Sequence, residues 1–353
     1  MTLLKPLIIQ QITHNGPITI AQYMEMCLMH PIYGYYKKKQ NPLGRFGDFI
    51  TAPEISQMFG ELIGAFLADY WDNNPSFEEA YIVELGPGRG TLMADIMRVT
   101  NTAKDFPKKI YFLESNETLQ QIQRETLKGY DVNWINSITD LPDGPIIMVA
   151  NEFFDALPIN QYVKGKTGWH ERLIGIRDDQ LMFGLSEEKL INHLPEYPIG
   201  IELNSILETR SSAQPILDSV SYKISQHGGL ALIIDYGDWG SCGNTFQAVK
   251  NHKPIDPLQK PGECDLTAHV DFLALSKAAN HCSVSALVPQ GIFLNRLGIA
   301  ERTNVLAKHM NKTEFKNHLS GHQRLVHPNE MGDIFKALAL FPKNSTTPGA
   351  FKN

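Results

Sequence analysis

Tyr81-Ile-Val-Glu84-Leu-Gly86-Pro-Gly88-Arg-Gly90-Thr-Leu-Met decides how this chain folds. Its first five residues form a short apolar run interrupted by one acid, the pattern of a strand buried on both faces. Three glycines at alternate positions follow. Leu92, Met93, Ile96 and Met97 then recur at helical spacing. Glycines between a strand and a helix let the backbone turn sharply and come close to a ligand, and the helix start offers unpaired N–H groups. A dinucleotide fingerprint, Gly-x-Gly-x-x-Gly, would seat a pyrophosphate there and would need its third glycine at position 91. That position is Thr91, and the third glycine is Gly90. Glu84, two residues before the first glycine, would repel a pyrophosphate. It suits a ligand with an ammonium group, such as the methionine portion of S-adenosylmethionine.

The flanking sequence repeats the strand–helix alternation. Lys109-Ile-Tyr-Phe-Leu-Glu114 reads as the next buried strand and Asn116–Lys128 as a helix closed by Gly129. Val132–Ile135 and Pro145–Ala150 read as the third and fourth strands, Leu230–Asp235 as the fifth and Ser283–Val288 as the sixth. Ile334–Phe341 is a candidate seventh. Such alternation implies βαβ units and a parallel α/β sheet of Rossmann-like type. In open sheets of this kind ligands bind at the carboxyl ends of the strands. Glu114 stands at such an end, where a carboxylate accepts both hydroxyls of a ribose. Asn151-Glu152-Phe-Phe-Asp155 and Asp235-Tyr236 end the fourth and fifth strands, so their polar groups could orient a cationic substrate.

Residues 1–75 read as a helical N-terminal region that could act as a lid. Thr19/Gln22 and Thr51/Glu54 have capping-box spacing. The sheet domain is expected over 76–160 and 201–341. Residues 161–200 read as a β-meander attached to the sheet edge, and 293–325 as a helical insertion. Residues 238–266 look loop-rich, Thr267–Asn280 helical with Asp265 or Thr267 as its cap, and the last ten residues frayed. Lys37-Lys38-Lys39 reads as a solvated turn. The cluster Glu263, Asp265, His269 and Asp271 matches no closed zinc or calcium spacing, and His318, His322 and His327 read as surface residues, so no metal is expected.

Composition narrows the function classes. The 353 residues are 42% hydrophobic and 20% charged, with a net charge of −6, an ordinary globular balance. A mildly acidic chain has no general attraction for nucleic acid or anionic lipid. No run approaches the ~18 apolar residues of a membrane span. The four cysteines, Cys27, Cys242, Cys264 and Cys282, are too sparse for a disulfide framework and fit a reducing compartment. No Gly-x-Ser-x-Gly elbow or Walker loop is present.

Several stretches have no general chemical meaning, which makes their joint occurrence specific. They are His30-Pro-Ile-Tyr-Gly-Tyr-Tyr, Gly47-Asp-Phe-Ile-Thr-Ala-Pro-Glu-Ile-Ser-Gln, Glu84-Leu-Gly-Pro-Gly-Arg-Gly-Thr-Leu, Asn151-Glu-Phe-Phe-Asp-Ala-Leu-Pro and Asp265-Leu-Thr-Ala-His-Val-Asp-Phe. With them the chain resembles, over nearly its whole length, the MidA family of methyltransferases, whose mitochondrial members are complex I assembly factors. The resemblance implies a seven-stranded class I methyltransferase sheet with extra helices. It implies S-adenosylmethionine bound at Glu84, Gly86, Gly88, Gly90 and Glu114, with Asn151 and Thr51 as further cofactor residues and the Thr51–Glu54 segment closing over them. It implies a protein substrate, methylated on an arginine of a complex I subunit. Glu152, Asp155 and Asp235 are the candidate carboxylates for holding that guanidinium and taking its proton. The chain begins almost directly at the family domain, which implies a bacterial, cytoplasmic protein. Two competing readings are an assembly or interaction protein that keeps the fold without turnover, and a nicotinamide-dependent oxidoreductase, which Glu84 and the glycine spacing oppose.

Overall fold

A computed structural model describes residues 2–38, 50–74, 79–190, 201–240, 242–308 and 310–352. Lys39 of the lysine turn, Gly47–Phe49 of the family stretch and residues 191–200 of the meander lie outside the described residues. The chain divides into two compact units. One comprises Ile50–Phe154, Ile216–Trp239 and Leu275–Asn353, the other Met1–Phe49, Asp155–Pro215 and Gly240–Ala274.

The first of these units is built on a twisted sheet. Its strands are β1 (Tyr81–Leu85), β2 (Lys109–Leu113), β3 (Asp131–Ile135), β4 (Ile146–Asn151), β5 (Gly229–Asp238), β6 (Ser283–Val284 and Val288–Pro289) and β7 (Phe335–Phe341). They lie in the order β3-β2-β1-β4-β5-β7-β6. β1 to β5 are parallel, whereas β7 runs antiparallel to β5 and to both pieces of β6. Every residue of β1 and β4 is buried, which is why those strands read as continuous apolar runs. Ile82, Ile147, Val149, Leu232 and Ile234 share a core with helices α1 (Gln57–Asn73) and α2 (Thr91–Thr100) through Phe59, Ile63, Phe66, Met93 and Ile96. Full burial of each such side chain contributes about 1.5–3 kcal/mol. Helix α3 (Glu117–Thr126) connects β2 to β3. The helical insertion comprises α4 (Gln290–Arg296), α5 (Ile299–Ala307) and α6 (Lys312–Val326). Buried Glu61 of α1 ties these layers together, accepting from Arg98 of α2 at 2.7 Å and from Arg302 of α5 at 2.7 and 3.0 Å.

The strand order places the topological switch point between β1 and β4. From β1 the chain winds outward through β2 and β3, and from β4 it winds the other way through β5. The loops after β1 and β4 therefore diverge and open a crevice at their carboxyl ends.

In the second unit, residues 160–185 do form the expected meander, but it does not extend the edge of the parallel sheet. Trp169–Arg177, Asn160–Lys164, Gln180–Leu185, Ile206–Thr209 and Ile18–Thr19 make a separate five-stranded antiparallel sheet. Its core joins Ile174 to Ile8, Ile20, Tyr23, Met24 and Leu266. The capping box of Thr19 and Gln22 is present at the start of Ile20–Met29.

Three further expectations are corrected. Gln247–Lys250 and Lys253–Ile255 form a hairpin within the stretch that looks loop-rich, paired with strand Asp265–Thr267. Its two-residue turn, Asn251-His252, takes φ of 50° and 60°. This is the doubly positive turn usually signalled by Asn-Gly, so histidine at its second position hides it. The helix expected from Thr267 begins at Phe272 and is capped by Asp271, which accepts from Leu273 and Ala274 N–H at 2.9 and 3.2 Å. Finally, the C-terminus is anchored. Phe351 is buried, with its ring 5.3 Å from that of Phe293 and 6.0 Å from that of Phe66.

Candidate functional site

β1 ends at Leu85 and the chain turns through Gly86, Gly88 and Gly90, all at positive φ (62°, 54° and 81°). Two of these positions demand glycine for different reasons. A Cβ on Gly86 would lie 2.9 Å from the Phe153 ring, so the loop after β1 packs directly under the loop after β4. Gly90 is the left-handed residue that starts α2 and offers no side-chain cap. The backbone N–H of Met93, in the first turn of α2, is turned toward the Glu84 carboxylate. One carboxylate oxygen, Oε2, is buried and has no hydrogen-bond partner among the described residues. Burial pushes the Glu84 carboxyl up to about 8, against the opposing Met93 hydrogen bond. A buried acceptor of this kind is costly unless something donates to it.

Asn151, the last residue of β4, presents a second such acceptor, because its buried Oδ1 also lacks a partner among the described residues. Glu84 and Asn151 stand on adjacent strands, with Glu84 paired to Val149 and Leu85 to Ala150. Two unsatisfied acceptors beside a glycine turn at the switch point fit a ligand that carries an ammonium group.

At the end of β2, Glu114 is held from several sides. Its Oε1 accepts from Asn116 N–H at 2.7 Å and its carbonyl from Gln120 Nε2 at 2.8 Å. Gln123 Nε2 lies 3.4 Å from its Oε2. Asn116 caps α3 through Thr118 and Leu119 N–H, so the strand end and the helix start form one rigid corner.

Beyond β4, Glu152 has φ of 52°, a conformation a non-glycine residue holds at a cost of about 1–3 kcal/mol. Its N–H donates to Ile234 O at 2.9 Å, and its Oε1 accepts from Asn151 Nδ2 at 3.1 Å and from Ala52 N–H at 3.0 Å. It therefore caps the short helix Ala52–Ile55. Thr51 occupies the N-cap position but makes no side-chain cap bond. The expected capping box fails because Glu54 has a tertiary partner: its Oε1 accepts from Thr91 Oγ1 of α2 at 2.6 Å. Asp235 is fully buried. Its oxygens accept from Phe154 N–H at 3.0 Å and Tyr236 N–H at 2.9 Å. Asp155 belongs to the other unit. There its carbonyl accepts from Ala268 N–H at 3.1 Å, and Tyr36 donates to Asp265 at 3.1 Å. The Tyr36 hydroxyl is pushed well up by burial, and by the charges of Asp265 and Asp155.

Thus Glu84, the glycine turn, Glu114, Asn151, Glu152, Thr51 and Asp235 all belong to the sheet unit, and Asp155 does not. Phe153, part of the strand-end stretch that the sequence points to, roofs Gly86, whereas sequence reasoning misses Gln123, a fully buried amide. The available signal for Gln123 is its spacing. It lies one helical turn after Leu119, where an apolar residue would be expected.

The model of a family described as "Putative S-adenosyl-L-methionine-dependent methyltransferase" matches residues 62–290. The chain belongs to this family. Its cofactor is S-adenosyl-L-methionine, as the acid and the glycine spacing predict. The methyltransferase is 36% identical to "Protein arginine methyltransferase NDUFAF7 homolog, mitochondrial" of Drosophila melanogaster, over 94% of this chain and 83% of that one. It is 34% identical to "Protein arginine methyltransferase NDUFAF7, mitochondrial" of Homo sapiens, over 97% and 84%. Its fold matches the crystal structure of a Burkholderia thailandensis protein bound to S-adenosyl-homocysteine with a TM-score of 0.84 at 25% identity, over 99% of this chain and 94% of that one. These relatives overturn one expectation: the curated proteins it resembles are named as mitochondrial, so the cytoplasmic assignment is withdrawn. Among the described residues no helix is long and apolar enough to cross a membrane.

Proposed function

We propose that the methyltransferase places a methyl group on an arginine side chain of a protein substrate, with a respiratory complex I subunit as the acceptor that the family resemblance implies. The arginine assignment is supported by the names of its relatives. The cofactor site is supported above all by the buried Oε2 of Glu84 at the switch point, which has no partner among the described residues.

When bound, S-adenosyl-L-methionine supplies a methyl group already activated on a sulfonium. The chain's own residues must mainly orient, desolvate and handle a proton. Glu84 and Asn151 are the residues that would hold the ammonium group, and beside that positive charge Glu84 would take the ionised form that burial disfavours. Glu114, fixed by Asn116 and Gln123, accepts the ribose hydroxyls. A guanidinium (pKa above ~12) is cationic and a poor nucleophile, so a carboxylate must hold it in line and accept its proton as the new bond forms. Of the three candidates, Asp235 is buried and accepts two backbone hydrogen bonds, which suits it to bracing the strand ends. Asp155 is a buried residue of the other unit. Glu152 is half-buried at the end of β4 and is the carboxylate we assign to the acceptor.

The test is calorimetry with S-adenosylhomocysteine, S-adenosylmethionine and NADH, followed by methyl transfer to arginine-bearing complex I peptides read by mass spectrometry. Binding of the first two ligands but not NADH, lost in Glu84→Ala, is expected. Methylation of lysine or of a small molecule in place of arginine would refute the acceptor.

A further inference from the structure

We propose that Gln123 is a positioning residue for the cofactor, clamping the glycine turn and the ribose-facing acid into one register. The inference rests on the cofactor site described above and adds to it a residue outside the family's glycine motif.

Gln123 sits on α3 and is fully buried. Its Nε2 donates to Gly88 O at 2.8 Å and lies 3.4 Å from Glu114 Oε2. Its Oε1 accepts from the indole N–H of Trp134, on β3, at 2.7 Å. The orientation of the amide is determined. An indole N–H can only donate, so the amide oxygen must face Trp134, and both amide hydrogens are directed at Gly88 and Glu114. Trp134 is itself held, with the Arg124 guanidinium carbon 4.3 Å from the centre of its ring. The neutral amide thus links the backbone after β1, the carboxylate after β2 and a side chain of β3.

Two consequences follow. Glu114 keeps one oxygen on Asn116 N–H and the other toward Gln123, so its carboxylate plane is fixed before any ribose arrives. Gly88, at the middle of the turn, has its carbonyl held by a side chain of α3. Such pre-organisation raises affinity by removing the cost of ordering the site on binding.

The decisive experiment compares Kd values for S-adenosylhomocysteine and its 2′-deoxy analogue in the wild type, Gln123→Met and Gln123→Glu, with thermal unfolding as a check on folding. In the wild type, loss of the 2′-hydroxyl should weaken binding about tenfold. In Gln123→Met, where Glu114 is no longer held, that penalty should fall below about threefold, because one hydrogen bond typically carries this range. A purely structural role would lower both affinities equally and leave the penalty at tenfold, which would overturn the proposal. Gln123→Glu places a carboxylate against Glu114 and the Gly88 carbonyl. Its affinity relative to the wild type, measured at each pH, should be about 30-fold weaker at pH 8 and recover as pH falls and the new acid becomes a donor. A ratio independent of pH would also overturn it. Should either variant fail to fold, Trp134→Phe keeps Gln123 but frees its carbonyl. About threefold weaker binding is expected, and wild-type affinity would refute the clamp. Absence of S-adenosylhomocysteine binding in the wild type would instead refute the cofactor site itself.

Discussion

The two loops at the switch point solve the same backbone problem in opposite ways. After β1 the chain reverses through glycines, which accept positive φ at little cost and let Phe153 pack directly on the backbone of Gly86. After β4 it reverses through Glu152, which holds φ of 52° despite its side chain and uses its carboxylate to cap the helix at Ala52. Beside the first loop, Glu84 of β1 keeps a buried acceptor without a partner among the described residues. The second binds neighbouring segments together. One is built as a receptacle and the other as a brace, and substitutions should separate the two roles.

Gly86→Val tests the receptacle most severely. It combines a forbidden φ with a Cβ 2.9 Å from Phe153, and S-adenosylhomocysteine affinity measured by calorimetry should fall at least about 1,000-fold. Glu152→Gln tests the brace. Its amide oxygen can still cap Ala52, so cofactor affinity should change less than about threefold. Methyl transfer should fall about 100-fold or more, because general-base catalysis contributes on that scale. Unchanged turnover would remove Glu152 from the chemistry.

Glu84→Gln has a smaller effect with a defined sign. The folded carboxyl, near 8, lies above its ordinary value of 4.5, so the folded protein holds the proton more tightly than the unfolded chain. Stability is therefore full below the unfolded value and is lost as pH rises toward 8. The melting temperature of the ligand-free protein should fall between pH 5 and 8, and Glu84→Gln should flatten that fall. Cofactor binding at pH 7 should release a proton from the wild type, seen as a heat that varies with the buffer's ionisation enthalpy, and none from the variant. The smallest effect compares Glu152→Gly with Glu152→Ala. Both lose the cap, but glycine relieves the positive φ, so it should be more stable by about 1 kcal/mol in chemical denaturation.

The receptacle was readable from the sequence because its chemistry is local: an acid and three glycines at a strand end need no partner to be recognised. Strands β1, β2, β4 and β5 were readable for the same reason, each carrying a largely apolar run. Features that depend on tertiary partners were not. Thr51 and Glu54 carry a perfect capping spacing, yet Thr91 takes the carboxylate. The hairpin turn at Asn251-His252 lacks the glycine that would announce it. Phe351 reads as tail until it meets Phe66 and Phe293. Gln123 stands at an apolar spacing, one turn after Leu119, but an amide there has no assigned role until Gly88, Glu114 and Trp134 converge on it.

The position of β7 governs how the chain can be made. Synthesis proceeds from the N-terminus, so Phe335–Phe341 leaves the ribosome after the other strands β1 to β6 of its sheet, yet it lies inside the sheet between β5 and β6. Until it arrives, β5 carries a bare row of hydrogen-bonding groups on an apolar strand, a template for pairing with another nascent chain. A premature stop before Phe335 would therefore remove an interior strand of the core. The expected product is a chain that aggregates or is degraded, rather than a slightly shortened enzyme.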